Sequence, residues 1–472
     1  MIDESQTSKA LFKNTGIIAL GQISTKFINF LLMPLYTAIL VQEEYGLADL
    51  LISYSSLLVV VVGLQLYQAL FRYIVTSRED KNAIKSIVSS TLAGTFFALL
   101  IYSVLFLCVA PVISIEYKWF LLLSVYTHIL FQVATNTVRG MGDNARYAFA
   151  SFIAAAFTLA CNIIGIVALH MGVLAMLIAS IIGPLFGTVY LLISKKLYTL
   201  ISIRSISKEE LQRIIHYAIP LVPNELSWAV IHASDRFVIS SFLTIAANGL
   251  IAVASKFSVI YTTFFSFFNT SWTEQVVLHY KDDGGPEYIS SMFDKMVTFF
   301  ASIAIGIIAC MPFVFGFFVN ANYNEAYGLI PFYLIAVFFN AVIGMISAIY
   351  LIHNETGKVA LTTGVAAAVN MVTDILMVKY IGVYAAPISS ILGYLTISVW
   401  RLVDVNKRHS KVTMQLSKVI TLIVIVILTM VSYFSGRKTV QTVVLLVDVI
   451  VLLLINKSFL MEFVSILKRK KK

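Results

Sequence analysis

Of the 472 residues, 59% are hydrophobic and 12% charged, where soluble domains hold roughly 45–50% and about 25%. Together with a mean hydropathy of +0.89 and many apolar runs of about 20 residues, this excludes a soluble enzyme and predicts helices in a bilayer, which satisfy their own backbone hydrogen bonds. The net charge of +10 raises nucleic acid as a partner, but the cations lie between the apolar runs and read as topology signals instead.

The N-terminal stretch MIDESQTSKALFKN leads into the first apolar run with no small-residue cleavage site, so a retained anchor is expected rather than a cleaved signal peptide. Fourteen helices are predicted, near 14–41, 46–71, 86–111, 118–137, 147–169, 172–193, 214–242, 249–279, 296–318, 328–352, 358–379, 382–400, 416–434 and 439–456. With the N-terminus inside, 27 of the 34 Lys and Arg fall in inner connections and tails and 4 in outer ones, which predicts cytoplasmic termini. The tail KRKKK belongs to this signal and adds attraction to anionic lipid. No outer connection exceeds about ten residues, so function is assigned to helices and inner connections.

The longest inner connections divide the chain into helices 1–6 at 1–193, a cytoplasmic linker at 194–213, helices 7–12 at 214–402, and helices 13 and 14 with a basic tail at 403–472. The expected fold is an all-α integral membrane protein of about 14 transmembrane helices, two pseudo-symmetric six-helix lobes plus two C-terminal helices. Each six-helix set opens alike: a long helix holding a cation, a short outer turn ending in Gly (EEYG at 43–46, AANG at 246–249), then a second long helix. Such repeats frame a substrate cavity near the midplane and work by alternating access.

Three cations, Lys26, Arg236 and Lys256, lie within predicted spans. Lys26 is about halfway along the first helix, where a lysine costs roughly 2.5–3.5 kcal/mol, and Gln22 and Asn29 extend a polar stripe around it, so it is expected to face a wet cavity. Lys256 either faces the cavity or snorkels to the outer surface. Arg236, beside Asp235, suits a cavity cation and a structural ion pair equally well. Glu225 follows Pro220 and Pro223 at a predicted kink, where a proton relay and a hydrogen-bonded structural carboxylate are both open. Glu274 and Trp272 are near the inner end of the eighth helix. His128, His216 and His232 lack metal-ligand spacing and read as packed or interfacial. Cys108, Cys161 and Cys310 fall in apolar runs and read as small hydrophobes. Asp448, alone in the fourteenth helix, has no functional role assigned.

Asn370 and Asp374 are one turn apart in the eleventh helix, and Asp235 and Ser390 are expected at the same depth. Such oxygens suit a small hard cation or a shared proton, unless Arg236 and Lys256 neutralise them.

Several segments resemble the Wzx-type polysaccharide flippases (O-antigen and capsule repeat-unit flippases) of the multidrug/oligosaccharidyl-lipid/polysaccharide exporter superfamily. They are KFINFLLMPLYTAILVQEEYGLADLL at 26–51, Arg72, VRGMGDNARY at 138–147, YAIPLVPNELSW at 217–228, DRFVISSFL at 235–243 and ASKFSVIYTTFF at 254–265. The resemblance spans about residues 10–402. It implies a pair of six-helix lobes that moves a polyprenyl-diphosphate-linked oligosaccharide from the inner to the outer leaflet of the bacterial cytoplasmic membrane. The substrate-binding residues expected, from their place in the spans or from the resemblance, are Lys26, Gln22, Asn29, Arg72, Glu225, Arg236, Lys256 and Trp272. The sodium site of lipid II flippases in the same superfamily carries over to Asp235, Asn370 and Asp374, with a backbone carbonyl at Ala386 and a hydroxyl at Ser390. The implied coupling ion is sodium or a proton. Membrane lipids and other polysaccharide-assembly proteins are the remaining expected partners. Phosphate-binding Gly loops and Cys/His clusters are missing, so neither enzymatic residues nor a cofactor is expected. The rival within the superfamily is a multidrug exporter, whose organic cations call for carboxylates and aromatics without Lys26 and Lys256.

Overall fold

The computed structural model describes residues 30–461 apart from 281, 354 and 410. Among these no strand occurs, and eleven helical stretches are long and apolar enough to cross a membrane. Two compact units form. The first holds the residues up to Ser240 with Thr244–Gly249, and the second holds Ser241–Leu243 and the residues from Leu250 on. The expected linker at 194–213 lies inside the first.

The first unit contains α1 (Met33–Ile39), α2 (Gln42–Gly63), α3 (Leu66–Thr76), α4 (Lys81–Val109), α5 (Trp119–Gly140), α6 (Asn144–Ile163), α7 (Val173–Ser194), α8 (Lys208–Ala218) and most of α9 (Val222–Phe242). Polar side chains start several of them. Asp80 accepts from the Asn82 and Ala83 amides ahead of α4, Asp143 from the Arg146 amide at α6, and Ser207 from the Glu210 amide at α8, satisfying donors the helices leave open. The prolines interrupt the run at 214–242 with a 3₁₀ turn, Ile219–Leu221, because proline supplies no amide to the ladder.

Two expectations fail here. The run at 46–71 is not one helix: α2 stops at Gly63, and Leu64 and Gln65 adopt left-handed backbone angles (φ 46° and 57°) before α3 begins. Such angles cost non-glycine residues roughly 1–2 kcal/mol each. The fully buried Gln65 is fixed there by Gln68, whose Nε2 donates to its Oε1 at 2.8 Å. EEYG and AANG are not turns either. They are the opening turns of α2 and of α10 (Ile245–His279), where the Glu44 carboxylate accepts from the Val41 amide and Thr244 Oγ1 from the Ala247 amide. The glycines serve close approach. A Cβ on Gly46 would lie 2.0 Å from the Ile245 carbonyl oxygen, and one on Gly249 2.3 Å from that of Gln42, so the two helix starts cross backbone against backbone within the first unit.

The connection before α8 is clamped to α4. Ser89 Oγ donates to the Leu200 carbonyl and accepts from the Ser202 amide, both at 3.0 Å, and Ser90 accepts from the Ser207 amide at 3.0 Å. This holds α8, with Ile214 buried, against α4, where Gly94 meets Leu211.

The second unit holds the rest of α10, then α11 (Gly285–Phe318), α12 (Ile330–Ile352), α13 (Thr356–Ile381), α14 (Ala385–Arg408), α15 (Leu416–Ser435) and α16 (Lys438–Ile455). Arg401, fully buried, joins three of them. It donates to Thr362 and Thr363 hydroxyls on α13 (2.9 and 3.0 Å), to the Val359 carbonyl (2.9 Å) and to Ser347 Oγ on α12 (2.7 Å). The last two helices pack on α11 through Leu422, Ile425 and Leu452 against Ala301 and Ile305, with Lys418 paired to Asp294 at 2.7 Å and Asn456 Nδ2 donating to Ser302 Oγ at 2.8 Å. Asp448 accepts from Thr429 of α15 at 2.7 Å, so this intramembrane acid joins α16 to α15.

Candidate functional site

Helices α3, α5 and α6 and the end of α8 line a cavity of about 990 Å³ in the first unit. The break at Leu64 and Gln65 sets the direction of α3, whose Gln68, Arg72 and Thr76, spaced four apart, share a face and line the cavity. From α5 come His128, Gln132, Thr135, Asn136 and Arg139, again one helical face. Arg78, just past α3, completes a set of three arginines.

Each guanidinium is held by uncharged groups. Arg72 lies 4.3 Å over the Tyr217 ring, and Arg139 lies 4.7 Å over Phe71 and 5.8 Å over Tyr147. Arg78 Nε donates to the Gly140 carbonyl at 2.7 Å. Stacking occupies the face of a guanidinium and leaves edge donors for an anion's oxygens. No acid lines the cavity among the described residues. The neighbouring Asp143 is committed elsewhere, to Arg146 and Lys195 at 2.6 Å each. Burial works to raise its carboxyl, but hydrogen bonds from Lys195 and Arg146 prevail and hold it below the usual carboxylate range. The cavity is therefore a region of positive potential.

Of the residues named for substrate, Arg72 lines this cavity; Gln22, Lys26 and Asn29 lie outside the described residues. Arg236 pairs with Asp49 of α2 at 3.1 Å and donates to the His232 carbonyl at 3.2 Å. Glu225, partly buried in the first turn of α9, accepts from Asn224 at 3.5 Å. Trp272 is buried in the second unit, its indole N–H donating to the Met345 carbonyl at 2.8 Å, so it ties α10 to α12. Lys256 is partly buried on α10 and Glu274 is exposed.

The residues named for a cation fall in both units. Asp235 is buried in the first. In the second, Asn370, Asp374, Ala386 and Ser390 are all buried; Asn370 Nδ2 donates to Ser389 and Ser390 hydroxyls at 3.2 and 3.3 Å, and the Ala386 carbonyl accepts from Ser389 at 2.8 Å. Among the described residues no group of three or more His, Cys, Asp or Glu is placed to hold a metal ion.

Arg78 and Gln132 were not singled out from sequence, Arg139 entered only within VRGMGDNARY, and His128 was read as packed or interfacial. Their spacing along α3 and α5 was the available signal.

The fold and this basic cavity define a multi-pass membrane protein. The chain matches over 97% of its length, and 99% of the other's, the lipid II flippase MurJ in an inward closed conformation, with a TM-score of 0.69 at 13% identity. It matches a MATE in complex with MaL6 over 85% of this chain and 96% of that one (TM-score 0.59, 14% identity). An outward-facing multidrug resistance MATE family transporter gives 85% and 95% (0.59, 15%). No curated protein matches the chain. The model of the polysaccharide biosynthesis protein family matches residues 11–273, more than half of the sequence, and the chain belongs to that family.

Proposed function

We propose that the protein is a flippase that carries polyprenyl-diphosphate-linked oligosaccharides from the inner to the outer leaflet of the bacterial cytoplasmic membrane by alternating access. The observation that supports this most is the one-sided charge of the cavity: three arginines and no acid among its described lining residues. Guanidinium forks match phosphate oxygens geometrically, whereas an organic cation is repelled by the three arginines and finds no carboxylate among the described lining residues, only aromatic rings, so multidrug export is the weaker reading. Membership of the polysaccharide biosynthesis family points to the same cargo. No bond is made or broken: the arginines hold the anionic headgroup while the prenyl tail stays in lipid, and cytoplasmic termini follow from the charge distribution along the chain.

Calorimetric titration of the detergent-purified protein tests the cargo class. Farnesyl diphosphate is expected to bind, more weakly as salt is raised because the attraction is screened, and tetraphenylphosphonium is not. The opposite preference would reject the flippase reading.

The coupling ion, sodium or a proton, is assigned to Asp374 and Asn370. A buried carboxylate in a membrane helix suits a bound cation or a proton, and Asp374 is fully buried one turn from Asn370. Ligand binding to the folded state stabilises it by about 2.7 kcal/mol at a hundred times Kd, so sodium at saturation is expected to raise the melting temperature of the wild type over a choline control and to leave Asp374→Asn unmoved. A wild type insensitive to sodium rejects the sodium assignment; a pH-dependent shift lost in Asp374→Asn then assigns a proton.

A further inference from the structure

We infer that the end of the same cavity furthest from the arginines, towards the middle of the membrane, is a separate site for sugar hydroxyls, built from Gln132, His128 and Gln68; this rests on the flippase reading. Along α5, Gln132 is seven residues and His128 eleven residues before Arg139, about 10 and 16 Å further along the helix at 1.5 Å per residue. Along α3, Gln68 is about 6 Å beyond Arg72. The lining thus changes character with depth, from guanidinium groups to neutral amides and an imidazole.

Hydrogen-bonding polarity changes with it. Arginine only donates, which suits phosphate oxygens that only accept. At the other end the groups on offer accept as well as donate, which suits sugar hydroxyls, themselves donors and acceptors. His128 Nδ1 is 2.8 Å from the Ser124 carbonyl. A carbonyl cannot donate, so in the neutral ring Nδ1 carries the hydrogen and Nε2 is an acceptor. Ser124 is itself fixed by Ser55 of α2, hydroxyl to hydroxyl at 2.6 Å. One N–H of the Gln68 amide is given to Gln65, and its oxygen can accept. Gln132 Oε1 is buried and has no hydrogen-bond partner among the described residues, and rotation about its soft terminal torsion exchanges the amide nitrogen and oxygen at the cavity. A diphosphate has no hydrogen to give these acceptors, whereas a sugar ring carries several hydroxyl donors. Tyr67 and Phe131 also line the cavity and offer flat apolar surface to the ring's C–H face. The headgroup is therefore held by its phosphates at the arginines, with the first sugars pushed on towards Gln132.

Two readouts separate this site from the arginines: export of the host's own polysaccharide in cells lacking the chromosomal copy, and calorimetric binding of farnesyl diphosphate, which has no sugar, to the purified protein. Gln132→Leu is expected to cut export at least tenfold and to leave farnesyl diphosphate affinity within twofold. His128→Leu is expected to do the same and His128→Gln, which keeps an acceptor, to recover part of the export. Arg72→Gln loses both. Wild-type export by Gln132→Leu and His128→Leu at matched membrane levels would overturn the site, as would loss of farnesyl diphosphate binding in step with export. A wild type that does not bind farnesyl diphosphate, with Gln132→Leu still blocking export, removes the diphosphate reading and leaves the sugar site standing.

Discussion

Replacing Arg139 by glutamine is expected to lower polysaccharide export by about ten- to a hundredfold at unchanged membrane abundance. The size follows from the energetics of a charge-assisted hydrogen bond, about 1.5–3 kcal/mol, at about 1.4 kcal/mol per factor of ten. Stability is expected to hold, because the guanidinium stacks on Phe71 and Tyr147 and takes part in none of the ion pairs among described residues. Arg139→Lys keeps the charge and loses the planar fork, so it is expected to fall between the two. Surface polysaccharide measured in cells carrying each variant, with the protein quantified by immunoblot, checks both. Normal export by Arg139→Gln would remove the cavity from the transport path.

Arg401→Leu is expected to be the most damaging substitution for folding in the second unit. The hydroxyl oxygens of Ser347, Thr362 and Thr363 lose their donor at once, while the Val359 carbonyl loses one donor and keeps the Thr362 and Thr363 hydroxyls. Orphaned buried acceptors cost about 1–3 kcal/mol each, and since they are neighbours the losses do not add, so a total of about 3 kcal/mol or more is expected. Arg401→Lys, with fewer donors and no fork, is expected to lose less. Arg408, half-exposed in its 2.8 Å pair with Asp404, serves as the control, because exposed ion pairs contribute little. Melting temperatures of the detergent-purified variants decide, and an unchanged value for Arg401→Leu would show that the three helices do not depend on this residue.

Hydropathy located the helices well: from 46 on, every predicted apolar run coincides with a helix or a broken pair of helices. It failed where a single residue acts through geometry. Nothing in VVVVGLQLYQ marks Leu64 and Gln65 as left-handed, since the one permissive residue, Gly63, lies just before them and remains helical. Gly46 and Gly249 were read as the ends of turns because glycine commonly breaks helices; their role is to let two backbones meet, which no local pattern reveals. The site was half legible. Arg72 was named through the family resemblance, while Arg78 and Arg139 were counted with the other inner cations, where each looks like any other. Spacing on a helical wheel was the missing step: Gln68, Arg72 and Thr76 on one helix, and His128, Gln132 and Arg139 on another, mark two polar faces that only the packing of α3 against α5 brings together.

Translocation itself is the most direct measurement. The protein is reconstituted into vesicles with a fluorescent polyprenyl-diphosphate oligosaccharide isolated from the host, and the label exposed on the outside is destroyed with membrane-impermeant dithionite. With wild-type protein nearly all the label is expected to become accessible, and with Arg72→Gln or Arg139→Gln about half, the fraction of lipid in an outer leaflet. A protected fraction equal in wild-type and protein-free vesicles would contradict the assignment of the cavity to a lipid-linked anionic cargo.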